Sequence, residues 1–305
     1  MRRPVVSVGN LRAGGSGKTP IVAHIARVLL AQGERPAILT RGYGRPNADP
    51  GVTMVSDGRK VLAGYASAGD EPLMLARALS GVPVLVGADR YLSGSFAERR
   101  LDATVHILDD GFQHLGLARS ADLLVVDESD LTEPVLPAGR LREPIDSAKA
   151  ADALLVTAAT PQEVARVAIG FNVETAFRVQ RTIGPGPTLT GPPRRADVGD
   201  ALAAFAGIAR PERFFNDLAG AGWRVAKTIV FRDHHRYTQR DLEQIVADAK
   251  AAGATALATT EKDAVRLESL DLSAMPIAVV SVSAAIEPAD AFMLWLMQKL
   301  AGATA

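Results

Sequence analysis

Gly14–Gly15–Ser16–Gly17–Lys18–Thr19 lies between an apolar run (Val5, Val6, Val8) and a helix-like segment entered near Pro20. A strand that turns through glycines into a helix N-terminus is a phosphate cradle, because backbone N–H groups face the anion and the helix dipole adds partial positive charge. Lys18 is placed to reach the outer phosphates, and the Thr19 hydroxyl stands where a phosphate-bound Mg²⁺ needs an oxygen. A strict Walker A pattern asks for glycine five residues before Gly17, where this chain has Arg12. The stretch is therefore a variant P-loop, and it predicts nucleotide binding.

Four other stretches carry chemistry. Val105–His106–Ile107–Leu108 delivers Asp109 and Asp110 at the end of an apolar run, the Walker B arrangement that holds Mg²⁺ opposite a P-loop, with Gly111–Phe112–Gln113–His114 following. Gly69–Asp70–Glu71–Pro72 opens a helical run. Its carboxylates read as ordinary helix-start chemistry, with Asp70 as N-cap, or as a base beside the phosphate site. Arg41–Gly42–Tyr43–Gly44–Arg45 follows an apolar strand, the end at which open α/β sheets place ligands. Leu136–Pro144 carries Arg140 and Arg142, and arginine suits bidentate phosphate contact and transition-state charge.

The elements that must position these groups alternate along the chain. Strands are expected at Val5–Val8, Pro36–Thr40, Val82–Val86, Val105–Leu108, Leu123–Asp127 and Ala153–Thr157, with helices between several of them. This is the α/β signature of a mainly parallel sheet. After about Thr160 the composition shifts. A strand at Thr175–Thr182 is followed by a connector marked by Gly184, Pro185, Gly186, Pro187, Gly191, Pro192 and Pro193. A second α/β unit follows, with strands at Ala203–Ile208, Ala226–Val230, Ala256–Thr260 and Ile277–Val282. Two Rossmann-like α/β/α lobes are expected, the first a P-loop nucleoside-triphosphate-binding domain, with the active site in the cleft between them. The boundaries are 1–170, joined by a C-terminal helix at 288–303, and 171–287.

The 305 residues carry 34 basic and 34 acidic side chains, so bulk charge does not favour a nucleic-acid partner. The absence of cysteine excludes disulfides, thiolate metal sites and cysteine nucleophiles, and accords with a reducing compartment. Met1–Pro4 leaves no room for a signal peptide before the first strand. No stretch reaches the roughly 18 apolar residues of a spanning helix; Ala291–Met297 reads as a terminal packing helix, with an interfacial membrane contact as the alternative. No obligate protein partner is evident.

Taken in order, Val8–Gly9–Asn10 leading to Gly14–Pro20, Arg41–Gly44, Gly69–Pro72, Leu108–His114, Leu136–Pro144, Phe205–Ala209, Asp233–His234 and Thr260–Asp263 resemble the tetraacyldisaccharide 4′-kinases of lipid A biosynthesis over nearly the whole chain. The resemblance implies ATP-dependent phosphorylation of the 4′-hydroxyl of a tetraacyldisaccharide 1-phosphate, giving lipid IVA. It implies a cytoplasmic protein peripheral to the cytoplasmic face of the inner membrane of a Gram-negative-type bacterium. It also implies Asp70 and His234 as the base pair, His234 being preferred to His235 on the resemblance alone. Family members begin with several tens of residues ahead of the first strand, including a membrane-associating helix, whereas Met1–Pro4 alone precede it here, so that either the chain lacks that anchor or its start is incomplete. Exposed faces elsewhere are then expected to meet the bilayer, with Arg90, Arg99, Arg100 and Ala291–Leu300 as candidates.

The resulting mechanism is in-line phosphoryl transfer. Gly14, Gly15, Ser16, Gly17, Lys18 and Thr19 hold ATP; Thr19, Asp109 and Asp110, with Glu71, organise Mg²⁺. Asp70 with His234 takes the hydroxyl proton, and Arg142 stabilises the moving phosphoryl group. Asn10, Arg41, Tyr43, Gln113 and His114 are assigned to the substrate. A nucleotide-switched partition or assembly ATPase is the competing class, but its signature lysine before the two glycines is Ala13 here. A nucleotide-binding structural protein is the third.

Overall fold

The computed structural model describes residues 1–15, 17–47, 50–189 and 201–302, with backbone alone at 185–188. In chain order the elements are β1 (Val5–Gly9), α1 (Lys18–Ala31), β2 (Pro36–Thr40), β3 (Val52–Asp57), α2 (Tyr65–Ala68), α3 (Asp70–Ala78), β4 (Pro83–Gly87), α4 (Arg90–Arg100), β5 (Val105–Asp109) and β6 (Ala121–Val126). There follow β7 (Ala153–Thr157), α5 (Pro161–Phe171), β8 (Ala176–Thr188), β9 (Leu202–Ala206), α6 (Pro211–Gly220), β10 (Val225–Val230), α7 (Gln239–Ala251), β11 (Ala256–Thr260), α8 (Glu261–Leu267), β12 (Ile277–Glu287) and α9 (Ala289–Gly302). Two units emerge: Met1–Arg181 with Ala284–Ala305, and Thr182–Ser283. The chain leaves the first unit within β8 and returns to it within β12.

In the first unit the strand order is β3-β4-β2-β5-β1-β6-β7-β8, parallel throughout except for the antiparallel edge strand β3. Strands buried on both faces read as continuous apolar runs, as these do. Val5, Ala37, Leu39, Leu85 and Leu108 share one cluster with Ala97 of α4. Val6, Val8 and Ile38 point the other way by the period of two and are equally buried, so both faces are covered. Phe292, Leu296 and Leu300, four residues apart, form the buried stripe of α9.

In the second unit β10-β9-β11-β12 are all parallel. The same period sorts β9: Ala203 and Phe205 pack with α7, while Leu202, Ala204 and Ala206 pack with Phe214 and Leu218 of α6. The order of connection reverses beside β9, at the crevice between the carboxyl ends of β9 and β11.

Three local expectations need correction. The edge strand β3 is absent from the sequence reading, since Val52–Asp57 mixes apolar and polar residues on a half-exposed edge. The expected connector at Gly184–Pro187 is instead extended backbone continuing β8 as far as Thr188. The rest of that connector, Gly191, Pro192 and Pro193, lies outside the described residues. Finally, β6 ends at Val126, and Asp127 caps a 3₁₀ turn over Glu128–Thr132 instead of closing the strand.

Candidate active site

β1 sits between β5 and β6, so the chain leaving Gly9 emerges beside the end of β5. Asn10, Leu11 and Arg12 are buried, Gly14 and Gly15 are exposed, and Gly17 takes φ 79° as N-cap of α1. Ser16 lies outside the described residues. Lys18 and Thr19 are the first two residues of the helix. The Lys18 ammonium donates to Asn10 Oδ1 at 2.6 Å and stands 3.1 Å from Asp110 Oδ1. Asp110 holds φ 57°, a left-handed conformation that aspartate tolerates better than most residues and that turns it out of the strand.

The same carboxylate receives Arg142, whose Nη1 lies 3.1 Å from both oxygens and donates to Gln113 Oε1 at 2.8 Å. Gln113 in turn donates from Nε2 to the Asn10 carbonyl at 3.0 Å and to Glu143 at 2.7 Å. Asn10, Lys18, Asp110, Gln113, Arg142 and Glu143 thus form one network at the mouth of the glycine loop. Arg142 reaches it because residues 140–142 run beside the loop: Ala13 N–H donates to the Arg140 carbonyl and Arg142 N–H to that of Leu11, both at 2.7 Å.

Arg12 occupies the place where the strict pattern has glycine. It points away from the loop mouth into an acidic pocket, ion-paired with Asp130, 3.8 Å from Asp127 and 3.7 Å from Glu133, and donating to Ser129 Oγ at 2.9 Å. The departure from the pattern is a tether between the P-loop and the turn after β6.

Burial, reinforced by the charge of Glu71, pushes the Asp109 carboxyl up to about 7 against the pull of Lys18. Its neighbour Asp110 goes the other way: burial raises it, but Lys18 and Arg142 together hold it below the ordinary carboxylate range. Adjacent carboxyls are driven apart, one kept ionised by two cations and one made costly to ionise.

Asp70 is buried at the first position of α3, with Gly69 as the N-cap, so its expected N-cap role is corrected. Its Oδ1 accepts from the Glu71 N–H at 2.9 Å. The glycine-rich loop after β2 packs against this turn. At Gly42, φ 65°, an added Cβ would lie 2.3 Å from Val86 Cγ1 and 3.3 Å from the Ala68 carbonyl, so a side chain there is strained twice over. Arg41 and Tyr43 are exposed. His114 is half-buried, and burial with the nearby charge of Arg90 lowers its imidazole.

Arg90 contradicts its expected role at a membrane. It is 4% exposed, donates to the Gly87 and Ala88 carbonyls at 3.2 and 3.0 Å, and feels Arg41, Asp109 and Asp110. Desolvation lowers its guanidinium. A cation enclosed at the end of β4 was not legible as such, although its place directly after the Asp89 helix cap was a usable signal. Glu143 was also missed, despite lying in the stretch that supplied Arg142. Arg99 and Arg100 are exposed at the end of α4.

His234 and His235 belong to the second unit and differ sharply. His235 stacks on Phe231 at 4.6 Å, meets Tyr237 edge-on at 5.0 Å and pairs with Asp241 at 3.2 Å. His234 carries φ 57°, is one-third exposed, and has Lys262 Nζ 3.3 Å from Nε2 and Arg266 Nη2 3.4 Å from Nδ1. In the Glu261–Lys262–Asp263 stretch, Glu261 accepts from Ser281 at 2.9 Å, while Asp263 is fully buried and burial raises its carboxyl.

Among the described residues no three His, Asp or Glu side chains converge as a metal cage. Nucleotide-bound Mg²⁺ needs none, being held by one or two carboxylates and phosphate oxygens. Asp109, Asp110 and the Thr19 hydroxyl supply only hard oxygen donors, and a buried Asp109 costly to ionise alone fits a cation partner.

Comparison with known proteins bears on what this arrangement does. The profile of the LpxK family, tetraacyldisaccharide-1-P 4′-kinase, matches residues 1–301. The tetraacyldisaccharide 4′-kinase of Desulfotalea psychrophila is 42% identical over 275 residues, 87% of this chain and 79% of that relative. That of Geobacter metallireducens is 43% identical over 269 residues, 88% of this chain and 79% of that relative. The crystal structure of LpxK from Aquifex aeolicus in complex with ATP superposes with a TM-score of 0.75 at 30% identity, covering 98% of this chain and 89% of that one.

Proposed function

Since the chain belongs to the tetraacyldisaccharide 4′-kinase family, we propose that its P-loop network and the His234 loop divide the labour of one phosphoryl transfer. The chain is an ATP-dependent phosphotransferase of lipid A biosynthesis with an alcohol acceptor, which removes the partition-ATPase and structural readings. In our reading the glycine loop and Lys18 cradle the triphosphate. Asp109, Asp110 and Thr19, with Glu71 nearby, hold Mg²⁺, which when bound neutralises phosphate charge. Asp70 with His234 removes the proton of the 4′-hydroxyl. Arg142 meets negative charge that grows on the transferring group, and Asn10, Arg41, Tyr43, Gln113 and His114 contact the substrate.

The observation that carries this reading is the meeting of Lys18 and Arg142 on one carboxylate, Asp110, at 3.1 Å each. Two cations preset around a single anion at the glycine loop are the arrangement phosphoryl transfer uses, because little covalent chemistry falls to the protein. The anchoring of His235 by Phe231, Tyr237 and Asp241 supports His234 as the reactive histidine of the pair. No helix among the described residues is long and apolar enough to cross a membrane. We place the enzyme at the cytoplasmic surface of the inner membrane, where a tetraacylated substrate resides.

The test is transfer of labelled phosphate from ATP to tetraacyldisaccharide 1-phosphate in detergent micelles with Mg²⁺. Asp70→Ala is expected to lower turnover roughly a hundred- to a thousand-fold, the scale for losing one preorganised polar partner, with nucleotide binding intact. Turnover within a few-fold of the parent chain would remove Asp70 from the role of base.

A further inference from the structure

Gly207 follows β9 and Asp263 follows β11, the two strands that flank the crevice of the second unit. The Gly207 N–H donates to both Asp263 oxygens, at 3.2 and 3.1 Å. Asp263 also accepts from Tyr237 O–H at 3.0 Å, Thr260 Oγ1 at 2.7 Å and Arg266 Nη1 at 3.1 Å. The Gly207 carbonyl accepts from Arg266 Nη1 at 2.9 Å and from the His234 N–H at 3.1 Å. A Cβ on Gly207 would stand 3.1 Å from both Asp263 Oδ1 and Tyr237 O–H, so the peptide is pressed directly onto the carboxylate. Asp263 and Arg266 are 0% and 5% exposed. This apparatus surrounds one residue whose backbone is itself held in the left-handed region, His234.

Resting on the reading of His234 as reactive, we propose that Arg266, fixed by Asp263 and Gly207, is the positioning residue that sets the ring of His234 and its tautomer. A guanidinium has donors and no acceptor, so an arginine against Nδ1 makes that nitrogen the acceptor and puts the neutral ring's proton on Nε2. Lys262 faces Nε2 and favours the opposite tautomer. Its ammonium, however, rides on a flexible stem and has Asp233 within 3.8 Å as an alternative partner, whereas Arg266 is locked at Nη1 by two buried acceptors. The stiffer donor decides. Gly207 then serves the backbone and Arg266 the ring, from a single buried carboxylate.

The test is steady-state kinetics of the full chain with Mg²⁺-ATP and tetraacyldisaccharide 1-phosphate for Arg266→Lys, Arg266→Gln and His234→Ala, with ¹⁵N NMR of the His234 ring. Both Arg266 variants are expected to lower kcat about tenfold to a hundredfold while leaving the KM for ATP unchanged. The His234 shifts should move away from the Nε2–H tautomer. Arg266→Lys keeps the charge beside Asp263, so it decides the matter if Arg266→Gln does not fold. A folded Arg266→Lys with kcat within about twofold of the parent chain, or with unchanged ring shifts, overturns the proposal. Parental turnover in His234→Ala would instead overturn the reading of His234 as reactive, and the ring shifts would still decide whether Arg266 positions it.

Discussion

Asp109 and Asp110 are adjacent in sequence yet sit in opposite electrostatic situations, and each predicts something measurable. In the folded chain burial pushes the Asp109 carboxyl up to about 7, whereas in the unfolded chain it stands at about 4. Between those values the folded state binds more protons, so this group subtracts stability as pH rises through the window. Asp109→Asn should therefore melt higher than the parent chain at about pH 8 without Mg²⁺, with the advantage fading toward about pH 4; a pH-independent difference would refute this. Lys18 touches Asn10 and Asp110 at the start of α1. Lys18→Ala should weaken ATP binding and turnover together, measured by calorimetry and phosphate transfer, and normal values of both would take Lys18 out of the phosphate cradle. These residues were legible in sequence because glycine spacing and paired aspartates are local signals. Arg90 was not, since its burial depends on how the end of β4 meets that of β5 through β2, which no local pattern records.

At the scale of elements, the P-loop is held from behind. Arg12 is 6% exposed and shares its pocket with Asp130, whose carboxyl burial raises. Removing one partner of a buried pair leaves the other uncompensated. Arg12→Ala is expected to cost on the order of 3–5 kcal/mol in denaturant unfolding, and an unchanged midpoint would show that the tether carries no stability. The strands of both units were readable because β1, β2, β4, β5, β7, β9 and β11 are short apolar runs with turn residues at their ends. The tether was unreadable. Arg12 and Asp130 lie more than a hundred residues apart, and a lone arginine in a glycine loop gives no hint of where its partners are. The same holds for the hub at Asp263, whose partners Gly207 and Tyr237 lie 56 and 26 residues away.

For the whole molecule, the decisive fact is connectivity. The second unit is threaded between two pieces of the first, and α9 belongs to the P-loop unit although it comes last. Phe292 meets Phe177 edge-on at 5.2 Å, and Trp295 does so at 5.7 Å. Leu296 is completely buried. Leu296→Ala should cost about 2–5 kcal/mol through lost burial and the cavity left behind. Its unfolding transition should shift in the signal of nucleotide binding as well as in bulk secondary structure; a mutant that melts like the parent would detach α9 from the core. No helix among the described residues is long and apolar enough to cross a membrane, and Arg90, expected at a bilayer surface, is buried. The late arrival of α9 also has a consequence for synthesis. A ribosome must translate the glycine loop, the whole of the inserted unit and then the last helix before the first unit can close its core. Until then the nascent chain displays the apolar face that Phe292, Leu296 and Leu300 will cover, and a message cut short after the inserted unit yields a substrate for chaperones and proteases instead of a kinase.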